Sequence, residues 1–137
     1  MLVDSHCHLD RLDLAIHNGS LDAALDAARA RGVQHFLCIG VSAANAAAVK
    51  NLAEQYTDVD CSVGVHPLDL EPGAAPVLDW LLDELNHPHV VAIGETGLDY
   101  HYEPEAAELQ QQSFRLHLDA ARITGKPVIV HTREARA

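Results

Sequence analysis

A chain of 137 residues with 48% hydrophobic content is long enough to bury one core but short for two, so a single domain over residues 1–137 is expected. Nine Lys and Arg against 20 Asp and Glu give a net charge of −11, which excludes a global positive field for gathering polyanions, although bound divalent cations would reverse that sign locally. The opening Met1-Leu2-Val3-Asp4-Ser5-His6 lacks the basic region and apolar stretch of a signal peptide, no run reaches membrane-spanning length, and three cysteines leave at least one unpaired, so a soluble chain in a reducing cytoplasm, with no membrane association, is expected.

The first apolar run, Leu2 to His6, leads into His6-Cys7-His8. Residues two apart on a strand point to the same side, roughly 6.6 Å apart along the chain, so both imidazoles face one way and Cys7 packs on the other. Segment 21–31 then sets Leu21, Ala24, Leu25 and Ala28 on one helical face and stops at Gly32, a residue suited to the left-handed position after a helix. A second run, His35 to Gly40, precedes segment 43–56, where Ser42 is the expected N-cap and Ala46, Val49, Ala53 and Tyr56 share a face. The third run, Cys61 to Val65, ends at His66. After the Glu71-Pro72-Gly73 turn, segment 76–86 carries Leu78, Leu81, Leu82 and Leu85 on a third face. The fourth run, Val90 to Gly94, ends at Glu95. The longest helix opens with Pro104, Glu105 and Glu108, carries Leu109, Leu116, Ala120 and Ile123, and ends at Gly125, and the fifth run, Val128 to His131, closes the series.

Near-continuous apolar strands alternating with amphipathic helices predict an α/β fold with parallel pairing and right-handed crossovers, all strand C-termini emerging on one side. That side is the functional rim of a TIM (β/α)8 barrel. A closed barrel of eight units needs roughly 200 residues or more, whereas here four βα units and a fifth strand are present. The expected architecture is therefore an incomplete barrel, about half, truncated after the fifth strand. Its open sheet edges call for cover by a missing C-terminal half or by self-association.

His6, His8, Glu95 and His131 fall at the C-terminal ends of these strands. Imidazole with carboxylate is a donor set for a Zn, Mn or Fe type ion, while Mg prefers oxygen. A carboxylate on the fourth strand, between imidazoles from the first and fifth, can span two ions roughly 3.5–4 Å apart that activate water and neutralise phosphoryl charge. Ser5 and Thr132 adjoin the ligands but show no serine-hydrolase elbow, so no covalent role is assigned to them. Asp10 and Asp99 either accept the free N–H of a ligand imidazole or cap their loops. Arg133 either matches a phosphate with its fork or is a surface charge, and His66 either meets a substrate phosphate at the rim or is a loop histidine. His17, His35, His87, His89 and His117 are expected to be solvated. Tyr100, His101 and Tyr102 offer a wall on which a base could stack.

Four segments carry a family resemblance: Asp4-Ser5-His6-Cys7-His8-Leu9-Asp10, Gly64-Val65-His66-Pro67, Ile93-Gly94-Glu95-Thr96-Gly97-Leu98-Asp99-Tyr100, and Val130-His131-Thr132-Arg133. They resemble the signatures of the TatD-type metal-dependent deoxyribonucleases, in the family's order and over the whole chain. The resemblance implies that His6 and His8 bind one metal, that Glu95 bridges two and is catalytic, and that His131 binds the second. It also implies a complete β/α barrel cleaving phosphodiesters, often of DNA and in some members from 3′ to 5′. A further histidine and an aspartate of the family's metal shell would lie beyond Ala137, which implies impaired catalysis by this chain alone. Two divalent ions (Zn, Mn, Mg or Fe) and a DNA or other phosphodiester substrate are thus expected. One rival is an amidohydrolase, whose bridging modified lysine has no counterpart here because Lys126 precedes the fifth strand. Others are hydrolysis of an aminoacyl-tRNA ester and a half-barrel that binds metal or a partner and catalyses nothing.

Overall fold

The computed structural model describes residues 2–136. The five apolar runs form strands β1 (Leu2–Cys7), β2 (Val33–Cys38), β3 (Val59–Val63), β4 (Val90–Asp99) and β5 (Val128–Arg133). Between them lie helices α1 (Leu21–Arg29), α2 (Ala46–Gln55), α3 (Leu78–Leu85) and α4 (Ala107–Thr124). Each strand pairs in parallel with the next, in the order β1-β2-β3-β4-β5. The result is a curled half-barrel of α/β type, as the alternating pattern predicts.

Phe36, Cys38, Val59, Cys61, Val63, Val90 and Ile93 of the strands pack against Leu25, Val49, Ala53, Leu81, Leu85 and Ala120 of the helices. Burying an aliphatic side chain contributes about 1.5–3 kcal/mol, so this layer between sheet and helices anchors the strands whose far ends carry the histidines. Ser20 caps α1 by accepting the Ala23 N–H at 3.2 Å. Gly125 ends α4 with φ +72°, where a side chain would be strained. All three cysteines are free. Burial pushes the Cys7 and Cys61 thiols up to about 12, and Cys7 packs against the core, consistent with the expected packing role.

Three expectations are corrected. Helix α2 begins at Ala46, not residue 43, and Ser42 Oγ accepts the Asn45 N–H while Asn45 Oδ1 accepts the Val41 and Ser42 N–H groups, a reciprocal pair of the kind that precedes a helix. That local turn satisfies donors which a helix would leave to its cap. Strand β4 runs on past Gly94 to Asp99, since after a register shift Thr96, Gly97, Leu98 and Asp99 pair with Val130 to Arg133. Finally, His117 is fully buried rather than solvated. At the sheet's margins Leu2, Val3 and Val130 are more than half exposed. Among the described residues, no helix is long and apolar enough to cross a membrane.

Candidate metal centre

Glu95 lies inside β4, where the register shifts, and not at the strand's end. Its N–H donates to Gly40 O at 2.7 Å, tying it to the segment after β2. The buried Ser62 donates to Gly94 O at 2.7 Å and accepts the Gly40 N–H at 3.2 Å, so one hydroxyl on β3 joins both neighbours beside Glu95. Gly97 has φ +144°, and a Cβ there would run into the His131 carbonyl. Only glycine lets β5 approach closely enough to bring His131 to the site.

Two groups of side chains converge, and Glu95 belongs to both. His6, His8 and Glu95 offer ligand atoms within 4.8 Å of one another, as do His66, Glu95 and His131. The carboxylate is divided between them. Oε2 lies 3.3 Å from His6 Nε2, whereas Oε1 lies 3.4 Å from His131 Nδ1 and 4.0 Å from His66 Nε2.

Hydrogen bonds fix which ring nitrogen of each imidazole carries the proton. His131 Nε2 sits 2.9 Å from Asp99 Oδ2, and Asp99 is fully buried. Burial alone would raise the Asp99 carboxyl, but the Tyr102 N–H, the His131 imidazole and the His101 N–H together hold it below its ordinary value. A carboxylate only accepts, so Nε2 donates and the Nδ1 lone pair faces Glu95 Oε1. Two acceptors 3.4 Å apart repel unless a cation, proton or metal, lies between them. His66 is set the opposite way: its Nδ1 accepts the Leu68 N–H at 3.2 Å, which leaves the proton on Nε2. Burial, with the neighbouring His131, lowers the His66 pKa and keeps the ring neutral. Despite its position, His66 therefore presents a donor to the cluster and not a ligand lone pair.

The family described as TatD related DNase matches residues 3–137. The chain belongs to that family. It is 44% identical to an uncharacterized metal-dependent hydrolase, YcfH of Escherichia coli K12, over 99% of this chain and 51% of that protein. It is also 31% identical to an uncharacterized metal-dependent hydrolase, TatD of Mycobacterium tuberculosis, over 98% of this chain and 52% of that one. The crystal structure of YjjV, a TatD homologue from E. coli K12, superposes with a TM-score of 0.79 at 32% identity, over 96% of this chain and 51% of that chain. The chain spans about half the length of the curated relatives it matches, and its half-barrel corresponds to part of the TatD TIM barrel.

The donor set of this TatD-family chain fits a divalent ion. Ligands about 2.1 Å from an ion at tetrahedral angles are roughly 3.4 Å apart, close to the 3.3 and 3.4 Å separations from Glu95 to His6 and His131. His8 Nδ1 is buried without a hydrogen-bond partner among the described residues, a nitrogen left for something not made of protein. Asp99 serves both functions expected of it as alternatives, since Oδ2 holds His131 while Oδ1 accepts the His101 and Tyr102 N–H groups. Asp10 accepts from the Asn45 side chain at 3.1 Å and lies 3.7 Å from Arg11 Nε, and among the described residues it has no hydrogen bond to an imidazole. Arg133 stacks over the Tyr102 ring at 4.7 Å, so the expected aromatic wall is partly covered. Ser62 and Gln110 were not singled out by sequence reasoning, and His117 was expected to be solvated.

Proposed function

We propose that this chain carries the first half of a two-metal hydrolase site that cleaves phosphodiesters, with DNA as substrate. The observation that carries the reading is the division of Glu95 between two imidazole groups, one oxygen facing His6 and the other facing a His131 lone pair. His6 and His8 would hold one ion, His131 the other, and Glu95 both. Divalent ions bound there would lower the pKa of water toward about 7 and neutralise charge on the phosphoryl group. Asp99 keeps the His131 ring in its ligating tautomer, as carboxylates around metal histidines commonly do. His66 offers its Nε2–H to a phosphoryl oxygen, and Arg133 would supply a bidentate contact once it leaves Tyr102. The family's description as TatD related DNase supports phosphodiester over amide or lactone chemistry, and the net charge of −11 leaves metals as the means of attracting a polyanion.

The same reading has the outer edges of β1 and β5 covered by further βα units or by a second copy of the chain, and it places the protein, with its three free thiols, in a reducing cytoplasm. The test is 5′-labelled single-stranded DNA incubated with purified chain and added Mn or Zn. Metal-dependent shortening, abolished by Glu95→Gln, is expected. Metal-dependent release of an amino acid from charged tRNA with no action on DNA would move the substrate to an ester of another kind. Metal binding without turnover of either would mark this chain as a non-catalytic half-barrel.

A further inference from the structure

Helix α4 lies outside the ligand cluster, yet its inner face is polar where a core helix is ordinarily apolar. Gln110, Ser113 and His117 follow one another at i, i+3 and i+7, on one side of the helix, and none is more than 2% exposed. Such residues are costly to bury unless hydrogen-bonded. Two of the three direct their side chains to the backbone of the rim.

Gln110 grips Asp99 from both sides. Its Oε1 accepts the Asp99 N–H at 2.7 Å, while its Nε2 donates to Asp99 O at 3.0 Å and to Glu103 O at 3.1 Å. The carboxylate of that same Asp99 holds His131. Two helical turns further on, His117 Nδ1 donates to Ser113 O at 2.8 Å, so Nε2 is an acceptor and takes the Val65 N–H at 3.0 Å. Val65 directly precedes His66, whose own N–H is held by Val41 O at 2.8 Å. Each buried side chain is thus one backbone residue away from an imidazole that faces Glu95.

We propose that Gln110 and His117 are positioning residues, through which α4 sets the two rim histidines independently: Gln110 acts through Asp99 on His131, and His117 acts through Val65 on His66. The inference rests on the metal-centre reading for its purpose, but its mechanics are separate from it. Both branches end on rings protonated at Nε2, but His131 turns its Nδ1 lone pair toward Glu95 whereas His66 turns its Nε2–H, so disturbing one branch affects metal binding and disturbing the other does not.

The test combines nitrogen-15 NMR of the histidine rings with calorimetric titration of Zn into the whole chain, for wild type, Gln110→Met, Gln110→Glu, His117→Phe and His117→Gln. In the wild type, His117 and His131 should each give a pure tautomer, protonated at Nδ1 and Nε2 respectively, and His66 should be protonated at Nε2. Gln110→Met is expected to mix the His131 tautomers and weaken Zn binding at least about tenfold while leaving His66 unchanged. Gln110→Glu, which sets a buried acceptor against the Asp99 and Glu103 carbonyls, should disturb His131 at least as much as Gln110→Met. His117→Phe is expected to mix the His66 tautomers with Zn affinity within about threefold of wild type, because His66 contributes no lone pair, and His117→Gln, which restores an acceptor, should recover the His66 signal. A wild-type His117 protonated at Nε2 would overturn the proposal without any variant. So would folded variants with unchanged ring signals and affinity, since buried polar residues of purely structural value would lower stability and nothing else. Ring signals that respond as described in a chain that binds no Zn would sustain the positioning role and sink the metal-centre reading instead.

Discussion

The two sides of Glu95 are built from similar imidazoles but supported very differently. On the β3 to β5 side, His131 is locked by buried Asp99, His66 by the Leu68 N–H, and both by the buried polar face of α4. On the β1 side, His6 has a side chain 43% exposed on a strand at the sheet's edge, and His8 has a ring nitrogen without a hydrogen-bond partner among the described residues. The difference teaches that half of the site is preorganised by this chain's own hydrogen bonds, while the imidazoles of the other half would, on the two-metal reading, be ordered by the ion they hold.

The largest effect expected is that of Glu95→Gln, which removes the group both sides share. Zn affinity by calorimetry should fall at least about 100-fold, beyond the 10–100-fold typical of losing a partner that merely supports a ligand. Asp99→Asn breaks the preorganised side alone, and a loss of about 10–100-fold in metal affinity is expected, with Asp10→Asn, whose carboxylate meets Asn45 and no imidazole, changing it by no more than about threefold. Equal effects of the two substitutions would erase the asymmetry. Next, His66→Phe should leave metal affinity unaltered and slow phosphodiester cleavage about 10–100-fold, the scale of one lost hydrogen bond to a charged group.

The smallest effect is one of pH. Burial lowers the His117 pKa below its ordinary value. As the pH falls below about 6.5, the unfolded chain therefore binds a proton that the folded chain refuses, and stability is lost until the folded value is reached. Urea midpoints at pH 7 and pH 5.5 should differ less in His117→Gln than in wild type, by up to about 1.4 kcal/mol per pH unit within that window. An unchanged slope would mean that His117 does not carry this proton linkage.

Much of this arrangement is legible in the chain itself. Apolar runs separated by amphipathic segments dictate parallel strands, and that topology brings His6, Glu95 and His131, distant in sequence, to one rim. Hydrophobic period says nothing, however, about where a strand passes through an irregularity. The extension of β4 to Asp99 depends on the Gly94 and Gly97 backbone and on pairing with β5, so Asp99 reads locally as a turn residue when it is in fact a buried strand end. The supporting residues were hidden for a related reason. Gln110 and His117 look like solvent-facing breaks in a helical pattern because their partners are backbone groups outside the helix, at Asp99 eleven residues before Gln110 and at Val65 far away in sequence from His117. His66 was readable as a rim histidine, but its role as donor rests on a single local bond, from Leu68, that residue types do not encode. For Arg133, sequence shows the charge but not the Tyr102 ring on which it rests.

The most direct measurement is anomalous diffraction from crystals of this chain grown with Zn. Two ions flanking Glu95 are expected, one contacted by His6 and His8 and the other by His131 Nδ1, with His66 Nε2 outside bonding distance of both. A lone ion bound through His66, or histidines of β1 and β5 too far apart to share Glu95, would contradict the account.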